Sequence, residues 1–193
     1  MAATEPATPD DRTAARRRGR VSARTIGLLA AIALGVLGLD QLTKYLVVTD
    51  LAMGQTVPLL GELLQLHRTS NSGAAFSFAT GFTWVLSLVA VGVIVFIVWF
   101  APRIRSLAWA TMFGLVLGGA FGNLVDRLFR DSGWGNGLVV DFIQIWGFPA
   151  IFNVADIAIT SAMALFVLLS LRGVRLDGTR APAADVDDEP DED

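Results

Sequence analysis

The chain contains no cysteine and a single histidine, His67. Those absences exclude disulfides, thiol catalysis and cysteine-ligated metals, and one imidazole cannot build a His-rich metal site. No metal or organic cofactor is expected. No repeat of 20–50 residues is visible, which argues against a solenoid or an array. Long apolar segments leave few polar groups, so any chemistry has to run on carboxylates.

What is present is apolar. The chain is 53% hydrophobic, and four stretches meet the requirement of about 20 residues for crossing about 30 Å of hydrocarbon. These are Thr25–Val48, Gly81–Ala101, Leu107–Val125 and Ile151–Leu171. The second and third carry no charge, the first contains Asp40 and Lys44, and the fourth contains Asp156. The expected class is an all-α polytopic membrane protein: four transmembrane helices with a small extracytoplasmic β-rich element. Although the first segment follows an Arg-rich start, it runs longer than a signal-peptide core and lacks a small-residue cleavage site. It therefore reads as an uncleaved span.

Basic residues set the expected orientation. Arg12, Arg16, Arg17, Arg18, Arg20 and Arg24 precede the first span, Arg103 and Arg105 separate the second from the third, and Arg172 and Arg175 follow the fourth. Lys and Arg accumulate on the cytoplasmic side, so both termini are expected inside and the connections 49–80 and 126–150 outside. The formal charge of −3 reflects the end of the chain. There Asp177, Asp185, Asp187, Asp188, Glu189, Asp191, Glu192 and Asp193 face only Arg180. Residues 177–193 read as a disordered acidic tail, 1–24 as a disordered basic one, and 25–176 as the membrane domain.

Two apolar runs around Gly61-Glu62 predict a β-hairpin, with Pro58 confining its strand to an edge. Residues 137–146 predict a further strand, and together these elements would form a small sheet on the membrane surface. Trp134, Trp146 and Phe148 suit headgroup depth, where aromatic rings are ordinary anchors.

Each polar cluster has a bland reading beside a functional one. Asp40 and Lys44 are spaced for a local i,i+4 ion pair, Lys44 can snorkel to the interface, and Asp40 suits a structural hydrogen-bonding role. Asn71 and Gly73 are turn chemistry. Gly114, Gly118 and Gly122 form a small-xxx-small stripe that packing alone explains. Asn123 and Arg127 share a helix face, with Asp126 beside them for a pair with Arg127 at the membrane edge. Asn153 and Asp156 are spaced as an N-cap and its third residue, which makes Asp156 a candidate helix cap. Asp141 alone would pass as a solvated loop residue.

Convergence raises these residues above their bland readings, because in the four-span layout all of them fall at one membrane face. An ionisable group at a span is a functional-site hypothesis by default. Two aspartates brought together, Asp141 and Asp156, cannot both remain ionised and would share a proton, as acid–base hydrolysis of a peptide requires. Such a pair titrates as a unit, so the sequence does not say which carboxyl keeps the proton.

The motif set resembles the lipoprotein signal peptidase family (signal peptidase II), aspartic endopeptidases of bacterial inner membranes. The resemblance runs through Asp40-Gln-x-x-Lys44, Asn71-x-Gly-Ala-Ala-Phe76, Gly118-Gly119-Ala120-x-Gly122-Asn123-x-x-Asp126-Arg127, Val140-Asp141-Phe142 and Phe152-Asn153-x-Ala155-Asp156. It implies that Asp141 and Asp156 form the catalytic dyad. It further implies supporting or substrate-binding roles for Asp40, Lys44, Asn71, Gly73, Gly119, Asn123, Asp126, Arg127, Asn153 and Ala155. The implied substrate is a prolipoprotein cut just before a diacylglyceryl-modified cysteine. Membrane lipid would be its surroundings, no nucleic acid its partner, and a monomer its expected state. A transporter would place polar groups near the midplane and often show repeat symmetry, and neither pattern is present. A metal-dependent lipid transferase would cluster acidic residues tightly along one helix, and this chain spreads them.

The arginine distribution makes a direct prediction for intact cells. Ser132→Cys should react with an impermeant thiol reagent and Ser106→Cys should not, and the reverse pattern would overturn the orientation.

Overall fold

The computed structural model describes residues 22–73, 83–130 and 137–180. Ala74, Ala75, Phe76, Ser132 and Trp134 lie outside them, as do most of both tails. Among the described residues, four helices are long and apolar enough to cross a membrane: α1 (Ala23–Asp50), α2 (Thr83–Phe100), α3 (Leu107–Phe129) and α4 (Val154–Leu171). Three strands, β1 (Thr56–Leu60), β2 (Leu64–Asn71) and β3 (Val139–Ile145), form one antiparallel sheet in the order β1-β2-β3. Pro58 sits on the edge strand, where its missing N–H costs no ladder bond.

The expected spans and the observed helices differ mainly at their ends. α1 begins at Ala23 because the Ser22 hydroxyl oxygen accepts the Thr25 N–H, an N-cap that a hydropathy window does not register. α3 continues to Phe129 through Asp126 and Arg127, charges that hydropathy treats as an end but that are buried here.

α3 is the central element. Over its most apolar stretch 56% of residues are buried, against 22% for each of the other three helices. Its glycines explain how. A Cβ on Gly114 or Gly118 would meet the carbonyls of Leu29 or Ala33 at 2.9 and 2.7 Å, so their absence lets α1 lie directly against α3. One residue round the helix, a Cβ on Gly119 would meet the Ala155 carbonyl at 2.6 Å, so α4 approaches the adjacent face. Without a hydrophobic drive between helices in lipid, such close backbone contact is the main source of cohesion.

The sheet lies at the end of the bundle shared by the C-termini of α1 and α3 and the N-terminus of α4. Arg68 of β2 pins it there by donating from Nη1 to the carbonyls of Val48 and Leu51, at 3.1 and 2.6 Å. These carbonyls at the end of α1 have no further turn to pair with, and a basic side chain suits that terminus. Gly137 enters β3 directly beneath α3, its N–H bonded to the Arg127 carbonyl at 3.0 Å.

At the opposite end, the Leu176 carbonyl accepts the N–H groups of Arg105 and Ser106, each at 2.9 Å. The Trp109 indole donates to the Val174 carbonyl at 2.9 Å. Defined structure thus continues through a turn to Arg180, past the expected start of the acidic tail at 177. Ser106 is 7% exposed, so a cysteine there would stay unlabelled whatever its side of the membrane. Glu62 and Asp177, both exposed, are the cleaner pair of positions for the same labelling experiment.

Gly118→Ala should destabilise the bundle by about 1–3 kcal/mol through forced separation of α1 and α3. Gly92→Ala, with open space around the added carbon, should be neutral or stabilising by up to ~1 kcal/mol. Thermal unfolding of both variants in detergent tests this, and equal effects would refute the packing account.

Candidate active site

Among the described residues, four carboxylates converge where the sheet meets the bundle, and they are held in two different ways. Asp40 and Asp126 share the ammonium of Lys44, at 2.8 and 2.9 Å, with all three side chains fully buried. Asp126 also pairs with Arg130 at 2.7 Å. The two buried carboxylates are therefore balanced by the buried Lys44 and the partly exposed Arg130, as burial of ions requires.

Around this ion cluster, bonds reach three other elements. The second oxygen of Asp40 accepts the N–H of Ala155 at 3.0 Å, anchoring the first turn of α4. Asp126 accepts the Val140 N–H at 3.2 Å, anchoring β3. Gln41 donates to the Gly122 carbonyl at 2.9 Å and to Asp126 at 3.3 Å, tying α1 to α3. Gly122 has to be bare, because a Cβ there would lie 2.5 Å from the Asp40 carboxylate.

Two readings of individual side chains are corrected by this arrangement. Lys44 does not snorkel to the interface. It turns inward because Asp40, Asp126 and the Asn123 carbonyl oxygen, at 3.0 Å, supply three acceptors at once. Asp126 pairs with Lys44 and Arg130 rather than Arg127, whose guanidinium donates instead to the Ser72 carbonyl at 3.4 Å.

Asp141 and Asp156 are held differently: among the described residues neither makes a salt bridge, and side-chain amides do most of the holding. Asn71 and Asn153 donate to the two oxygens of Asp141 at 2.9 and 2.7 Å. Asn123 donates to Asp156 at 3.0 Å, and the Asn153 N–H donates to its other oxygen at 3.2 Å. Local structure explains each placement. Thr69 faces Asp141 across the β2–β3 ladder, so Asn71, two residues on, shares that face. The Phe152 carbonyl accepts from Phe142 and Ile143, which brings the N-cap of α4 alongside Asp141.

The orientation of all three amides follows from their second partners. The Asn71 oxygen accepts the Gly73 N–H at 2.7 Å, and the Asn153 oxygen accepts the Asp156 N–H at 3.0 Å in a complete capping box. The Asn123 oxygen accepts from Lys44 and from Asn153. Each nitrogen is thereby left to face a carboxylate. Gly73 adopts φ +84, and a side chain there would collide with Leu86, which accounts for a glycine after Asn71-Ser72.

All twelve residues singled out from the sequence gather at this end of the bundle. Gln41, Ser72 and Arg130 were missed. Arg130 was within reach of sequence reasoning, since it stands four residues after Asp126 on one helix. Gln41 carried only the signal of lying between Asp40 and Lys44, and Ser72 acts through its backbone.

Asp141 is 2% exposed. Burial, reinforced by the nearby Asp156 charge and opposed by the Asn71 and Asn153 hydrogen bonds, pushes its carboxyl up to about 6. A carboxyl raised above its unfolded value stabilises the fold below the unfolded value near 4, and that contribution is lost as pH rises through 6. The thermal midpoint should therefore fall further for the parent than for Asp141→Asn between about pH 4.5 and 7.5, by on the order of 2 kcal/mol in stability. Parallel curves would show that Asp141 does not titrate in this window.

Comparison with known proteins agrees with this geometry. The signal peptidase (SPase) II family model matches residues 32–172. A lipoprotein signal peptidase of Leifsonia xyli subsp. xyli is 57% identical over 163 residues, covering 84% of this chain and 76% of the relative. That of Mycobacterium avium is 48% identical over 154 residues, covering 80% and 84%. A solved bacterial membrane enzyme, determined by the in meso method at 1.9 Å resolution, superposes with a TM-score of 0.69 at 28% identity, covering 80% of this chain and 97% of that one. The chain belongs to the signal peptidase II family and is a membrane peptidase.

Proposed function

We propose that this protein removes the signal peptides of prolipoproteins, cutting just before a diacylglyceryl-modified cysteine, with Asp141 and Asp156 as its catalytic dyad. One observation carries the assignment of the dyad. Among the described residues, four carboxylates converge: Asp40 and Asp126 are neutralised by Lys44 and Arg130, whereas Asp141 and Asp156 are held without a salt bridge. Amide donors fix a carboxyl in place while leaving it free to exchange a proton.

In this reading Asp141, with its raised carboxyl, holds the shared proton and donates it to the scissile carbonyl oxygen. Asp156, at the N-terminus of α4 where backbone dipoles favour negative charge, serves as the base. It takes a proton from the attacking water, so that the hydroxyl adds to the carbonyl carbon. Collapse of the tetrahedral gem-diol breaks the C–N bond: the departing amine takes the proton from Asp156, and one hydroxyl returns its proton to Asp141, restoring the singly protonated dyad. Arg127 lies within electrostatic reach of both aspartates, and its single charge matches a dyad carrying one proton. Both termini face the cytoplasm and the site opens at the outer face of the bacterial inner membrane, where a lipidated precursor presents its scissile bond. The protein acts as a monomer in the bilayer.

Asp156→Asn separates catalysis from capping. Asparagine keeps an oxygen for the Asn153 N–H and should cost at most about 1 kcal/mol of stability, but it cannot exchange a proton. Cleavage of a purified diacylglyceryl-modified precursor should fall by on the order of 10³-fold or more, Asp141→Asn should behave alike, and the double variant should be hardly worse. Substantial turnover by either single variant would sink the dyad assignment.

A further inference from the structure

A cavity of about 490 Å³ opens beside the dyad. Asn71 and Asp156 border it, the loop through Phe148 and Phe152 forms one wall, and α4 forms the other with Thr160 and Ser161. Thr160 stands four residues after Asp156, so it occupies the same helix face about 6 Å further along the axis.

The hydroxyls of Thr160 and Ser161 differ from those of the other helix-interior threonines. Thr43, Thr49 and Thr111 donate back to the carbonyls of Leu39, Tyr45 and Leu107, at 2.8, 3.0 and 3.0 Å. That is the usual way for a hydroxyl to be satisfied within a span. Thr160 and Ser161 make no such bond among the described residues, and both are exposed to the cavity. Hydroxyls left unpaired beside hydrocarbon are costly unless something else bonds them.

The reaction supplies a reason for them. A peptide bond can be attacked only when its segment is unwound, and unwound backbone within a bilayer needs polar partners from the protein. α4 leads from the dyad into the membrane, so the part of the substrate still in the bilayer passes Thr160. At about 3.3 Å per extended residue, 6 Å corresponds to roughly two residues from the scissile bond. We propose that Thr160 and Ser161 form a polar ledge whose hydroxyls donate to a backbone carbonyl of the unwound signal peptide, about two residues before the cut. This inference rests on the function proposed above. The ester carbonyl of the diacylglyceryl group offers the same acceptor chemistry, but lipid esters sit at the polar edge of the bilayer rather than a helical turn deeper.

The test uses the full-length enzyme in detergent with two precursors, one carrying the diacylglyceryl group and one an ether-linked dialkyl equivalent. The double variant Thr160→Val, Ser161→Ala should lose about tenfold in kcat/KM on both precursors, the worth of one or two hydrogen bonds. Thr160→Ser alone should retain nearly full activity, and the unfolding temperature of every variant should match the parent. The ledge is refuted if the double variant stays within about twofold of the parent. It is equally refuted if the loss is confined to the ester substrate, which would assign the hydroxyls to the lipid, or if unfolding temperature falls in step with activity. A parent enzyme that cuts neither precursor would instead refute the proposed function, leaving the two failures distinguishable.

Discussion

The charge of Lys44 is what the functional end of the molecule is assembled around. An ammonium with no exposure has to be matched, and it is matched by carboxylates from two helices, Asp40 on α1 and Asp126 on α3. Each of those carboxylates also accepts a backbone N–H of another element: Ala155 on α4 for Asp40, and Val140 on β3 for Asp126. One buried cation thus fixes the relative positions of four elements. Replacing one partner alone would leave an uncompensated buried charge, at a cost of about 3–5 kcal/mol.

The same lysine also reaches the proposed dyad. It donates to the Asn123 oxygen, whose nitrogen donates to Asp156. Hydrogen bonds in such a chain polarise one another, so the Lys44 charge strengthens the Asn123 donor without touching Asp156 itself. Direct contact would pin the carboxylate in its ionised form, whereas an amide interposed between the two transmits orientation and leaves protonation open. Asn153 works similarly from the other side, capping α4 with its oxygen and holding Asp141 with its nitrogen.

Much of this was legible in the sequence, for reasons that differ by element. The spans were readable because hydrocarbon imposes a minimum length, and the edge strand because Pro58 lacks a donor. The glycine stripe announced close packing, but which partner each glycine faces depends on helix rotation: Gly118 meets α1 while its neighbour Gly119 meets α4. Spacing along a helix suggested an Asp40–Lys44 pair, which exists. It could not reveal that Lys44 also serves Asp126, 82 residues away in sequence, because that contact is created by tertiary packing. The same limit applied to Asp126 and Arg127. Adjacent residues on a helix point in different directions, so Arg130, one turn on, is the better placed partner.

At Asp156 the sequence left open a choice between helix cap and chemical group. The capping box is complete, with Asn153 and Asp156 exchanging backbone donors, so the bland reading is structurally correct. It does not exhaust the residue. A carboxylate offers about four acceptor positions, and the cap uses one and Asn123 another. Capping also holds Asp156 at the first turn of α4, beside the cavity and without a salt bridge among the described residues. Structural and chemical roles are therefore not rivals at this position. The cap fixes the carboxylate where helix dipoles favour its charge, and the positions it leaves unused are those a water would need.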